Sequence, residues 1–212
     1  MKSRGQRVAG IILAAGTSTR MGKPKQLLPV HGQTLLGRLI DEALGSELDK
    51  VILVLGHQAE RISAALENIL RHRKLQVIEN RHYKKGLSTS IRAGLSKAEK
   101  DHDHVMLLLA DMPHINARLI NLLLQRFLKS RLPLGAVGIK GKRSHPVIFS
   151  RKLYHELHRL KGDTGARELF LRYGSQVCLV EPEESYDDSD IDTREDYIRH
   201  ATAPDEVIPE QG

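Results

Sequence analysis

Val8-Ala9-Gly10-Ile11-Ile12-Leu13-Ala14-Ala15-Gly16-Thr17-Ser18-Thr19-Arg20-Met21-Gly22-Lys23-Pro24-Lys25 is the most informative stretch of the chain. Val8 to Leu13 is an unbroken apolar run, the pattern of a strand buried on both faces. Small residues and glycines follow at once. They let backbone amides approach an anion closely, while Arg20, Lys23 and Lys25 supply charge. The spacing is not that of a Walker loop: five residues separate Gly16 from Gly22 where that motif has four, and Pro24 stands where Ser or Thr would ligate magnesium. The G-x-G-x-x-G dinucleotide spacing is also missing, so neither a P-loop NTPase nor a nicotinamide enzyme is favoured. The competing reading is a basic turn with no ligand.

Outward from this stretch, apolar runs of strand length alternate with segments of helical period, which predicts an α/β domain with a largely parallel sheet. Val51 to Leu55, Leu75 to Glu79 and Val105 to Leu109 read as further strands. Helices are expected over Thr34 to Leu44, Gln58 to Arg71, Ser88 to Lys97 with Ser88 as cap, and Ala117 to Lys129 with Asn116 as cap. Gly135 to Ile139 and Pro146 to Phe149 look like short strands around a Gly-Lys-Arg-Ser turn, departing from strict alternation. Helices over Arg151 to Leu160 and Ala166 to Tyr173, a strand around Cys178 and a terminal helix from Thr193 complete the series. Residues 1–200 are expected to form one domain and 201–212 a frayed tail.

A chain of 212 residues can bury a full core without staples. Cys178, the single cysteine, rules out an internal disulfide and reads as a buried strand thiol. A reducing, cytoplasmic setting is the expectation, with no membrane partner and no signal segment. The net charge is +7, yet Glu181 to Asp196 holds nine acidic residues against Arg194 alone, which leaves +15 on the rest of the chain. That asymmetry suits either a polyanion surface or a small phosphate pocket closed by acidic residues that hold a metal. Aromatics are only 4% and Trp is absent, so stacking platforms for nucleic acid are poorly supplied and no nucleic-acid partner is expected.

Asp111 follows the apolar strand Val105 to Leu109, and the carboxyl end of a parallel strand is where α/β sheets place ligands. An Asp there can hold Mg²⁺ against phosphate oxygens. Asp190-Ile191-Asp192-Thr193-Arg194-Glu195-Asp196 offers a second carboxylate, although Asp192 or Thr193 also suits a helix cap. The histidines at His102, His104, His155 and His158 lack a surrounding ligand set and are read as solvated surface groups, not as a zinc site.

The signature Leu13-Ala14-Ala15-Gly16-Thr17-Ser18-Thr19-Arg20-Met21-Gly22, followed by Lys25, resembles that of the nucleotidyltransferase family, in its molybdenum cofactor cytidylyltransferase branch. The resemblance covers about Val8 to Ile198. It implies a three-layer Rossmann-like nucleotidyltransferase fold with a mostly parallel mixed sheet. It further implies that Leu13, Ala14, Ala15 and Gly16 hold base and ribose, that Arg20 and Lys25 bind the triphosphate, and that Asp111 and Asp192 hold Mg²⁺. Gly86-Leu87-Ser88-Thr89-Ser90 resembles the family's glycine-serine loop, so Gly86 and either Ser88 or Ser90 would sit beside the nucleotide. His145-Pro146 and Gly162-Asp163-Thr164-Gly165-Ala166-Arg167 resemble blocks of the molybdopterin-using branch, which implies that His145 and Arg167 contact the acceptor. Ser144 and Arg194 depart from the family's usual Gly and Pro. Guanylyl-transferring relatives carry Gly at the position of Ala15, and the extra methyl favours a pyrimidine.

The expectation is therefore transfer of CMP from CTP to the phosphate of molybdopterin, with Mg²⁺ and a client molybdenum hydroxylase. Lys25, Arg20 and Asp111 are the catalytic candidates. The alternatives are guanylyl transfer to molybdopterin, cytidylyl or uridylyl transfer to a sugar or polyol phosphate, or a non-catalytic carrier of the molybdenum cofactor.

Overall fold

The computed structural model describes residues 5–17, 24–30, 32–163, 165–182 and 186–202. The expected positions Arg20, Lys23 and 203–212 lie outside them. The elements run β1 (Val8–Ala14), β2 (Pro29–Val30), β3 (Gln33–Thr34), α1 (Leu35–Gly45), β4 (Lys50–Leu55), α2 (Ala59–Ala65), α3 (Glu67–Leu70), β5 (Leu75–Glu79) and α4 (Leu87–Ala98). They continue as β6 (His104–Leu109), α5 (Ala117–Ser130), β7 (Leu134–Ile139), β8 (Lys142–Ser150), α6 (Tyr154–His158), α7 (Arg167–Tyr173), β9 (Val177–Val180) and α8 (Arg194–Thr202).

Seven strands form one sheet in the order β5-β4-β1-β6-β8-β7-β9. All neighbours are parallel except β8, which runs antiparallel to both β6 and β7. The mostly parallel mixed sheet with helices on both faces has the three-layer, Rossmann-like arrangement expected. Alternation along β1 divides the core. Val8, Ile12 and Ala14 face α1, α2 and α5, with Leu36, Ile40, Ile62, Leu119 and Leu123. Ala9, Ile11 and Leu13 face α4, α6 and α7, with Ile91, Leu95, Leu157 and Phe170. At Gly94 a Cβ would stand 2.4 Å from Ile11 Cγ2, so α4 packs directly on β1.

Chain order reverses at β1, which has β4 on one side and β6 on the other. The crevice at the carboxyl ends of β1 and β6 is thus the switch point where doubly wound sheets bind ligands. A third, smaller cluster of Val30, Leu35 and Ile191, backed by Leu28 and Tyr197, fastens the acidic segment beside that crevice. Tyr197 donates its hydroxyl hydrogen to the Pro29 carbonyl at 2.8 Å.

Several local expectations need correction. The helix expected over Gln58 to Arg71 breaks at Leu66, which leaves helical geometry (φ −114°, ψ 13°) while its side chain stays in the core. The β7–β8 turn is the pair Lys140-Gly141, both at positive φ, and β8 starts at Lys142. Two positive φ values are the geometry of a two-residue hairpin turn, which is how β8 is reversed. Cys178 is half-buried, because β9 is an edge strand. His102 and His104 are buried, not solvated: His102 Nδ1 lies 3.0 Å from the Ala98 carbonyl, and His104 stacks edge-on against Phe127. No helix among the described residues is long and apolar enough to cross a membrane.

Candidate active site

A cavity of about 410 Å³ opens at the switch point. Leu13, Ala14, Ala15, Gly16 and Thr17 line it where the chain leaves β1, and Lys25, Gln26, Tyr83, Lys84, Gly86, Ser90, Asp111 and Asp163 complete most of its wall. Its size falls in the range of small-molecule clefts, roughly 300–1,000 Å³. Gln26, almost fully buried, shapes the loop by donating from Nε2 to the carbonyls of Ala14 (3.1 Å) and Gly16 (3.3 Å). On the opposite side, Gly56 abuts Ala15 and Tyr83 so closely that a Cβ there would stand 2.8 Å from each of their Cβ atoms.

Lys25 opens a short 3₁₀ turn, Lys25–Leu27, whose start is fixed by Pro24. Its ammonium lies 2.6 Å from Asp111 Oδ2 and 3.0 Å from Asp192 Oδ1. Asp111 sits just past β6. Asp192 is held because Ile191 is wholly buried and its N–H donates to the Asp111 carbonyl at 2.9 Å. With Ile191 turned into the core, the residues on either side of it, Asp190 and Asp192, both reach Asp111. Carboxylate oxygens of the three lie within 4.8 Å of one another.

The electrostatics follow from this crowding. Burial pulls the Lys25 pKa down, and the attraction of Asp111 and Asp192 outweighs it, so the ammonium is held above its ordinary value. Burial and the like charges of Asp192 and Asp111 raise the Asp190 carboxyl. Among the described residues the Lys25 ammonium meets a group of three carboxylates, Asp111, Asp190 and Asp192. An all-oxygen donor set of this kind suits a hard divalent cation such as Mg²⁺ or Mn²⁺.

The far wall is the start of α4, and here the expected cap is corrected. Ser88 does not cap the helix: it lies inside the first turn, fully buried, with no hydrogen-bond partner for its Oγ among the described residues, and it does not line the cavity. Capping comes instead from the Gly162-Asp163 turn, where Asp163 Oδ1 accepts from Leu87 N (2.9 Å) and the Gly162 carbonyl from Ser88 N (3.1 Å). Gly86 makes this contact possible, since its φ is +102° and a Cβ would meet the Gly162 backbone at 2.4 Å. Ser90 does line the cavity. Its Oγ accepts from Asn80 Nδ2 at 3.0 Å, which leaves the hydroxyl hydrogen available.

His145 and Arg167 do not line the cavity. Burial and the neighbouring Arg143 push the His145 imidazole down to about 4. Arg167 is exposed at the start of α7, close enough to Arg143 to lower its pKa further after desolvation. Arg143 stacks 4.7 Å over the Phe170 ring. Residues missed by sequence reasoning are Asp190, Gln26, Tyr83, Lys84 and Asp163. Only Asp190 carried a usable signal, since residues i and i+2 of an extended segment share a face.

Residues 10–177 match the family model described as the MobA-like NTP transferase domain. The chain belongs to this family. It is a nucleotidyltransferase by that membership. It is 32% identical to the purine catabolism protein PucB of Bacillus subtilis, over 89% of this chain and 93% of that one. It is 28% identical to the nicotine blue oxidoreductase of Paenarthrobacter nicotinovorans (91% and 95%) and 31% identical to the molybdenum cofactor cytidylyltransferase of Escherichia coli (89% and 92%). Among solved structures, a Mycobacterium tuberculosis protein superposes with TM-score 0.77 at 29% identity, covering 93% of this chain and 98% of that one. That protein has also been solved in complex with manganese, where the TM-score is 0.73.

Proposed function

We propose that this nucleotidyltransferase transfers CMP from CTP to the terminal phosphate of molybdopterin and releases pyrophosphate, in the maturation of a molybdenum hydroxylase. The observation that carries the reading is the Lys25 ammonium bridging Asp111 and Asp192 at the end of a cavity walled by the β1 loop. Similarity to a molybdenum cofactor cytidylyltransferase over nearly the whole chain supports the choice of acceptor.

A phosphate monoester, with a second pKa near ~6, is already largely dianionic at neutral pH and needs no general base. One of its oxygens attacks the α-phosphorus, a new P–O bond forms, and the bond from the α-phosphorus to the bridging oxygen breaks to release pyrophosphate. The residues that act here position and neutralise charge. Ala14, Ala15 and Gly16 bring backbone close to the nucleotide. Ser90 offers its hydroxyl hydrogen to the ribose or base, and Lys25 moves from the carboxylates to a phosphate oxygen. Asp111 and Asp192, with Asp190 beside them, would hold Mg²⁺, which when bound neutralises phosphate charge in the transition state. Arg20 joins Lys25 on the triphosphate, and His145 and Arg167, with Arg143, serve the acceptor side.

Incubation of the chain with Mg²⁺, molybdopterin and each NTP separately, following pyrophosphate, tests this. Release with CTP is expected. Release only with GTP, or only when a sugar or polyol phosphate replaces molybdopterin, would reassign the nucleotide or the acceptor. No release under any condition would favour a cofactor carrier.

A further inference from the structure

The loop after β6 does more than carry Asp111. Three residues further on, His114 meets a part of the chain that is distant in sequence. Its Nε2 lies 3.0 Å from Nδ1 of His200 on α8 and 3.5 Å from Oδ2 of Asp187. The two rings are 4.9 Å apart and tilted by 59°. All three donor atoms fall within 4.8 Å of one another. From these contacts we infer that His114, Asp187 and His200 form a second divalent-cation site, of the imidazole-carboxylate class that takes Zn²⁺ or Co²⁺.

Donors about 2.0–2.2 Å from a shared ion stand roughly 3.0–3.5 Å apart, so the separations of His114 from His200 and Asp187, 3.0 and 3.5 Å, already fit, and the third pair lies within 4.8 Å. Two imidazole nitrogens and one carboxylate oxygen suit a borderline-soft ion, unlike the all-oxygen group of Asp111, Asp190 and Asp192. The supporting shell is also in place. Ser189 Oγ lies 3.1 Å from His200 Nε2, the outer nitrogen, and the Ser189 N–H donates to Asp187 Oδ1, the outer oxygen, at 2.9 Å. One residue therefore turns the inner atoms of two ligands toward His114, which is the role that outer partners play around bound metals. His200 is only 4% exposed, so its ring cannot swing away without opening α8.

Such an ion would staple α8 and the segment before it to the Asp111 loop. Asp190 and Asp192 lie between two of its ligands, Asp187 and His200, so occupancy would order two carboxylates of the candidate active site. None of its three ligands belongs to the group of Asp111, Asp190 and Asp192, and its test does not depend on the substrates proposed above.

The test uses the full chain, freed of any affinity tag and stripped with chelator, titrated with Co²⁺ while its visible ligand-field bands are recorded. One equivalent should give the intense bands of an imidazole-containing site of low coordination number. Asp111→Asn should keep them. His114→Gln and His200→Gln should each weaken Co²⁺ binding by at least about tenfold, the loss already typical of removing an outer partner. Circular dichroism without metal establishes whether these variants fold. Should either fail to fold, Asp187→Asn and the rise in wild-type melting temperature with Zn²⁺ carry the decision. Absence of the bands, bands unchanged in the histidine variants, bands lost only in Asp111→Asn, or no Zn²⁺-dependent rise in melting temperature would each overturn the assignment.

Discussion

Lys25 Nζ lies 2.6 Å from Asp111 Oδ2 although 86 residues separate the two in sequence. The carboxylate group proposed to hold the cation is thus partly neutralised from within. In Lys25→Met the carboxylates lose that partner, so Mn²⁺ affinity measured without nucleotide should rise. Nucleotidyl transfer should fall by at least about 100-fold, because a charge donor to the transition state is gone. Unchanged turnover in the folded variant would remove Lys25 from the reaction.

Ala15 lines the cavity and packs against Gly56 beside Tyr83. Ala15→Gly should relax the pocket toward a purine. One methyl is worth roughly 10–200-fold in discrimination, so the CTP:GTP ratio of kcat/KM should drop within that range. A ratio that does not move would show that nucleotide choice is made elsewhere.

Gly86 is the position least tolerant of a side chain around the cavity. Gly86→Ala meets both a positive φ and the Gly162 backbone, and should cost at least about 2 kcal/mol in chemical denaturation. Nucleotide affinity should fall with it, since the start of α4 must shift. A variant as stable as the wild type would show that the Gly162-Asp163 turn yields freely.

How far the chain could be read in advance depended on the range of each interaction. Val8 to Leu13, Leu75 to Glu79 and the Asn116 cap are set by neighbours a few residues away. Strand and helix come out nearly where period and capping place them, with Asn116 Oδ1 accepting from Leu119 N at 2.9 Å. The cap of α4 was misread because its acceptor, Asp163, is 76 residues away from Leu87. Ser88 and Gly86 carry no local sign of it. The loop after β1 and Asp111 announce an anion site through composition and position. The partnership of Lys25 with two aspartates depends on Ile191 finding the Val30–Leu35 pocket, a tertiary event. His114 and His200 likewise meet only through tertiary contact, 86 residues apart in sequence.

His145 gives the protein a pH-dependent stability of definite sign. Burial and Arg143 depress its folded pKa to about 4, while an unfolded imidazole titrates near ~6.5. Between those values the unfolded chain binds a proton that the native state does not. Stability is therefore full above about pH 6.5 and falls as the pH drops toward about 4, by up to about 3 kcal/mol from this group. Buried His104, also depressed by desolvation, acts in the same direction. Urea unfolding across this range should show a shallower slope in His145→Gln. An equal slope would mean that His145 is not buried uncharged.

The most direct test is CMP transfer from CTP to molybdopterin by Asp111→Asn, measured over a Mg²⁺ titration alongside circular dichroism and thermal melting. Asp111 touches Lys25 and, with Asp190 and Asp192, forms the all-oxygen group. The variant should fold like the wild type and lose at least about 100-fold in turnover at every Mg²⁺ concentration. Wild-type transfer with the wild-type Mg²⁺ dependence, in a folded Asp111→Asn protein, would contradict the account.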